Sequence, residues 1–108
     1  MAGPINETTQ EAQILARHFV ELQNKQIRAD AAFALLNSYN WNSTGLMPLV
    51  TWAAPTGYNF EFNPSYGELY YKGNAYSGLG SEEKRIFFQY LPKFIFECLR
   101  EYDRTYNL

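Results

Sequence analysis

Tyr58-Asn59-Phe60-Glu61-Phe62-Asn63 alternates aromatic and polar residues without a break. Successive side chains of an extended strand point to opposite faces. The spacing therefore predicts a strand with Tyr58, Phe60 and Phe62 on one face and Asn59, Glu61 and Asn63 on the other. Turn-forming residues bound it on both sides. Ala54-Pro55-Thr56-Gly57 has Pro second and Gly fourth, which suits a type I turn, and Pro64-Ser65-Tyr66-Gly67 makes the next turn. Leu49-Val50-Thr51-Trp52-Ala53 before the first turn and Glu68-Leu69-Tyr70-Tyr71-Lys72 after the second are rich in β-favouring residues. Gly73-Asn74 then turns the chain into a short fourth segment, Ala75-Tyr76-Ser77. Connections this short join antiparallel neighbours, so the expectation is a three- to four-stranded antiparallel β-meander.

Helical patterns flank the sheet. Thr8-Thr9-Gln10-Glu11 fits a capping box, and neither Pro nor Gly occurs between Pro4 and Gly45. Ala12, Phe19, Gln26 and Phe33 interleave with Leu15, Leu22, Ala29 and Leu36 at the three-to-four spacing of one apolar helix stripe. A second stripe contains Val20, Ile27, Ala31, Ala34 and Leu35. One helix from Thr8 to Asn37 would be roughly 45 Å long at 1.5 Å per residue. A domain of this size has a radius of gyration of about 13 Å, so the helix either bends near Asn24-Lys25 or projects. Asn37-Ser38-Tyr39-Asn40 stops it. After the sheet, Ser81 is the expected N-cap of a C-terminal helix, with Glu82 and Glu83 at its positive end. Phe88, Leu91, Ile95, Leu99 and Tyr102 form its stripe, widened by Phe87, Tyr90 and Phe94. Pro92 cannot donate to the Phe88 carbonyl and clashes with it, which predicts a kink or two abutting helices. The fold expectation is α+β in α-β-β-β(-β)-α order, one domain over residues 1–108 with residues 1–7 a flexible arm.

Composition narrows the function classes. The 108 residues contain nine Lys+Arg, eleven Asp+Glu, one His and one Cys, a formal net charge of −2, and 46% hydrophobic residues. A chain this apolar can bury a core. Lys72 is the only cation between Asp30 and Lys84, which argues against nucleic acid, whose binding draws on many cationic contacts to phosphate. The apolar run Ile86 to Phe96 is too short to cross a bilayer, which takes about 20 residues. A single Cys closes no internal disulfide, and the one His and one Cys make no zinc set. A cytoplasmic protein without metal or cofactor is the simplest reading.

No catalytic constellation stands out. His18, beside the apolar stripe, has Glu21 three residues on as an ordinary helix-surface neighbour. Cys98 reads as a buried, inert thiol. Gly78-Leu79-Gly80-Ser81 precedes a helix and so resembles an anion cradle, but it has neither Walker nor dinucleotide-binding spacing. Glu61 and Glu68 would approach each other on the polar sheet face if their strands pair about the Pro64–Gly67 turn. The strongest feature is the aromatic, nearly uncharged middle: Trp52, Tyr58, Tyr66, Tyr70, Tyr71 and Tyr76, together with Phe60 and Phe62. Adjacent Tyr70 and Tyr71 face opposite sides of a strand, so one of them, with Tyr66 and Tyr76, is expected to point outward. Rigid amphipathic rings among small polar residues are the chemistry of recognition surfaces.

These observations favour a non-catalytic binding protein, of inhibitor, immunity or adaptor type, that holds a protein partner on its aromatic sheet face. One alternative is a small-molecule or enzymatic pocket between sheet and helices, with His18, Glu61 or Glu68 orienting the ligand. The other is a structural homodimer joined through the apolar helix stripes, at Ala29–Leu36 or Phe87–Phe96.

Overall fold

The computed structural model describes residues 10, 13–18, 24–41 and 50–106. The proposed arm 1–7 and the Thr8/Glu11 capping box lie outside the described residues.

Residues 13–18 are helical. A separate helix, α1, runs Lys25–Asn37. Asn24 ahead of it has an extended backbone (φ −83°, ψ 112°), and its side chain accepts a 3.0 Å hydrogen bond from the Ile27 N–H. The predicted bend is therefore a full restart. Asn satisfies a helix-end donor from a non-helical conformation, which makes it a better cap than an interior residue. Ala29, Ala32 and Leu36 form the buried face of α1. Past its end, the Ser38 N–H donates to Ala34 and Leu35 carbonyls, and the Trp41 indole N–H donates to the Leu36 carbonyl at 2.6 Å.

The four strands, β1 Val50–Ala53, β2 Asn59–Phe62, β3 Tyr70–Tyr71 and β4 Asn74–Ala75, pair antiparallel in chain order. Gly57 closes the first turn, with its N–H on the Ala54 carbonyl at 2.9 Å and φ of +89°. A 3₁₀ turn at Pro64–Tyr66 ends in Gly67 at φ +83°. The β3–β4 hairpin turns on Lys72 and Gly73, both at positive φ (59° and 76°), the type I′ geometry that matches strand twist. Cross-strand register places Trp52 opposite Phe60 and Phe60 opposite Tyr71 on one face. Thr51, Glu61, Tyr70 and Ala75 run opposite one another on the other face.

A 3₁₀ turn at Tyr76–Gly78 leads to α2, one uninterrupted helix Ser81–Tyr106. The Glu83 carboxylate reaches back to the Gly80 N–H at 3.0 Å, and the Lys84 N–H donates to the Gly80 carbonyl. Gly80, not Ser81, is thus the capping residue. A Cβ at position 80 would lie 2.6 Å from Glu83 Oε1.

Phe87, Leu91, Phe94, Ile95, Cys98 and Leu99 of α2 are buried with Val50, Phe60, Phe62 and Tyr71 of the sheet and with the α1 face. Pro92 lies inside α2. It does not split the helix, because Leu91, Phe94 and Ile95 on either side of it are all fully buried and hold the next turn in place. Removing the ring should help: Pro92→Ala restores a backbone donor and is expected to stabilise the protein by about 1–2 kcal/mol, net of the rigidity proline gives the unfolded chain. A rise in Tm checks this; an unchanged Tm would mean the ring's packing is worth as much as the missing bond.

Candidate functional site

The six aromatics singled out by sequence fall into different places. Tyr71 and Tyr76 are core, each 1% exposed. Tyr71 packs on Phe60 (centroids 4.6 Å) and hydrogen-bonds Thr56 through its hydroxyl at 2.8 Å. Tyr76, expected to point outward, instead packs on Phe87 (5.0 Å) beneath the Lys84 ammonium. The reason is local: β4 ends at Ala75, so Tyr76 sits in a 3₁₀ turn where strand alternation no longer applies. Trp52 is half-buried against Phe60 at 5.8 Å. Tyr58, 46% exposed, precedes β2 and carries the Lys72 ammonium 4.6 Å from its ring.

Tyr66 and Tyr70 come together on the other face. Their ring centroids are 4.3 Å apart with planes inclined by 36°. Tyr66 is 38% exposed and Tyr70 half-buried. The Asn63 side chain holds the turn that carries Tyr66, accepting from the Ser65 N–H (2.9 Å) and hydroxyl (2.8 Å). Register sets Glu61 directly opposite Tyr70, and Thr51 opposite Glu61. The result is a row of Thr51, Glu61 and Tyr70, with Tyr66 leaning on its aromatic end. Thr51 was not singled out from sequence, although its place next to inward Trp52 already required it to face outward.

The other candidates separate from this row. Glu68 lies in the bend before β3 and accepts from the Ser77 N–H (2.9 Å) and hydroxyl (3.0 Å). Glu68 is thus engaged outside the ladder, whereas Glu61 stands within it. The glycine loop before α2 has its donor at Gly80 filled by Glu83, whose other oxygen lies 3.7 Å from Lys72. His18 is exposed and lines an open apolar hollow of about 370 Å³ with Ile14, Leu15 and Leu35. A second hollow of about 290 Å³ lies among Gln13, Ala16, Pro92, Lys93 and Phe96. Neither is lined by sheet residues, and between sheet and α2 Phe60, Phe62, Phe87, Phe94 and Leu91 are fully buried. The helix regions offered as a dimer seam are likewise used within the chain: Ala29, Ala32, Leu36, Phe87, Leu91, Phe94 and Ile95 are all core. Phe33, Leu35, Phe88 and Phe96 of the same regions are only partly buried.

Compared with known proteins, the chain matches no family model, no curated sequence and no solved structure at a significant level. Among the described residues, no group of three or more His, Cys, Asp or Glu is arranged to hold a metal ion. No described helix is long and apolar enough to cross a membrane.

Cys98 is buried, and burial pushes its thiol well above the ordinary value, with Glu97 and Glu101 adding to the rise. A buried neutral thiol is a poor nucleophile. Burial also raises the Tyr76 phenol, which Arg28 partly offsets. Both groups fold in the neutral form, so their contribution to stability is whole below the unfolded values of about 8.5 and 10 and is lost as pH rises toward the folded ones. The urea midpoint is thus expected to fall progressively above about pH 8.5, and Cys98→Ala should flatten the first part of that decline. A midpoint independent of pH up to 11 or so would contradict the burial of these groups.

Proposed function

We propose that the protein is a non-catalytic binding module that engages a protein partner through the Thr51–Glu61–Tyr70 row and Tyr66. The observation that carries this reading is the closely packed, tilted Tyr66–Tyr70 pair on the sheet face turned away from the core. The protein does not need these rings to fill its interior, which Phe60, Phe62, Tyr71, Phe87 and Phe94 already occupy. Tyrosine offers large, rigid area at small entropic cost, and rings already packed on each other have less freedom left to lose on binding. Thr51, Asn59 and Ser65 are exposed around them and supply a polar, nearly uncharged rim. The lone buried thiol suits a reducing compartment, and a cytoplasmic location belongs to the same proposal.

Tyr66→Ala and Tyr70→Ala are each expected to weaken partner affinity about tenfold or more, with Gln89→Ala on the exposed side of α2 having no effect. Titration calorimetry against the captured partner reads this directly. Equal affinities for all three variants and the parent would end the proposal.

A further inference from the structure

We infer that the partner presents an arginine to this face, with Glu61 receiving the guanidinium and Tyr66 and Tyr70 flanking it; this rests on the docking reading above. Glu61 is half-buried in the centre of the sheet's outer row, between Thr51 and Tyr70. The other acids of the described chain have partners. Asp30 accepts from Gln26, and Glu68 from Ser77. Glu82 pairs with Arg85, Glu83 with Lys72, Glu97 with Lys93 and Arg100, and Glu101 with Arg104. Asp103, buried in α2, is also engaged. Among the described acids, Glu61 alone has a carboxylate with neither a hydrogen bond nor an ion pair to another residue.

No cation of the sheet can supply the missing partner. Lys72 is the one positive residue in the described strands and turns between 50 and 80, and it is committed to Glu83 and the Tyr58 ring. Glu61 is thus free to take a cation brought by a partner. Arginine fits better than lysine here. Its planar fork meets a carboxylate with two parallel hydrogen bonds, and its flat face stacks on aromatic rings. A carboxylate beside a tyrosine pair offers both contacts at once, and covering them removes water from each.

The test is selection of a phage-displayed random dodecapeptide library on the immobilised full chain, followed by affinity measurement on variants. Peptides whose binding requires Tyr66 and Tyr70 should be enriched in arginine. Glu61→Gln, isosteric and checked by thermal melt to be folded, should weaken the best of them tenfold or more. Replacing the peptide's arginine by glutamine should cost the same factor, and Glu61→Gln should then cost nothing further. Tyrosine-dependent peptides without arginine enrichment, or ones that bind Glu61→Gln as well as the parent, overturn the arginine inference and leave the docking surface standing. Equal affinity after arginine-to-lysine exchange overturns the planar recognition. A selection yielding nothing that depends on Tyr66 or Tyr70 counts against both the inference and the reading beneath it.

Discussion

Phe60→Ala is expected to lower the stability of the protein by about 3–5 kcal/mol, the cost of removing a fully buried aromatic and leaving a cavity. Phe60 is 0% exposed and touches four rings: Tyr71 at 4.6 Å, Phe94 at 5.1 Å, Phe87 at 5.3 Å and Trp52 at 5.8 Å. It is the point where β1, β3 and α2 meet on β2. Phe94 and Phe87 are anchored in a 26-residue helix and Trp52 and Tyr71 in the ladder, so the site cannot collapse cheaply. Small domains have total stabilities of about 5–15 kcal/mol, so the variant should be near its unfolding threshold at ambient temperature. Urea denaturation measures the loss. A change below about 1 kcal/mol would mean the sheet and α2 do not close on this ring.

Trp41→Ala should cost a similar amount, about 3–5 kcal/mol, for a different reason. Trp41 lies four residues past α1 and is 3% exposed. Its ring contacts Phe62 of β2 (5.4 Å) and Tyr102 of α2 (5.1 Å), while its indole N–H fills the Leu36 carbonyl at the helix end. One side chain thus joins α1, the sheet and the last turns of α2. Trp41→Phe separates the two contributions. It keeps most of the ring contact and loses the hydrogen bond to a buried carbonyl, an expected cost of about 1–3 kcal/mol. A Trp41→Phe variant as unstable as Trp41→Ala would show that the bond, not the packing, dominates.

The parts of this fold that were legible in sequence are those with a period. Alternation in Tyr58–Asn63 and the flanking Pro/Gly turns led directly to an antiparallel meander, and the three-to-four spacing of Phe88, Leu91, Ile95 and Leu99 to a long amphipathic helix. Residues outside a repeating element carry no such signal. Tyr76 and Glu68 sit in a 3₁₀ turn and a bend, so no parity rule assigns their faces. Tyr70 and Tyr71 had to face opposite ways, but only the pairing of Phe60 with Tyr71 decides which is inside. Trp41, between Asn40 and Asn42, carries no periodic signal at all, and its role depends on three elements distant in sequence. At Pro92 the two-helix alternative gives way to a single helix, because the neighbouring residues are held by tertiary packing. The site followed the same logic. Glu61 and Tyr66 were visible as chemistry, yet their junction with Tyr70 and Thr51 required strand register, which one sequence leaves open.

The most direct measurement is site-specific photo-crosslinking in the source cell, with a benzophenone amino acid replacing Tyr66 in one protein and Gln89 in another. The outer-face account predicts a discrete adduct of the 12.5 kDa chain with one other protein from position 66 and none from position 89. The same adducts from both positions, or none from position 66, would contradict it.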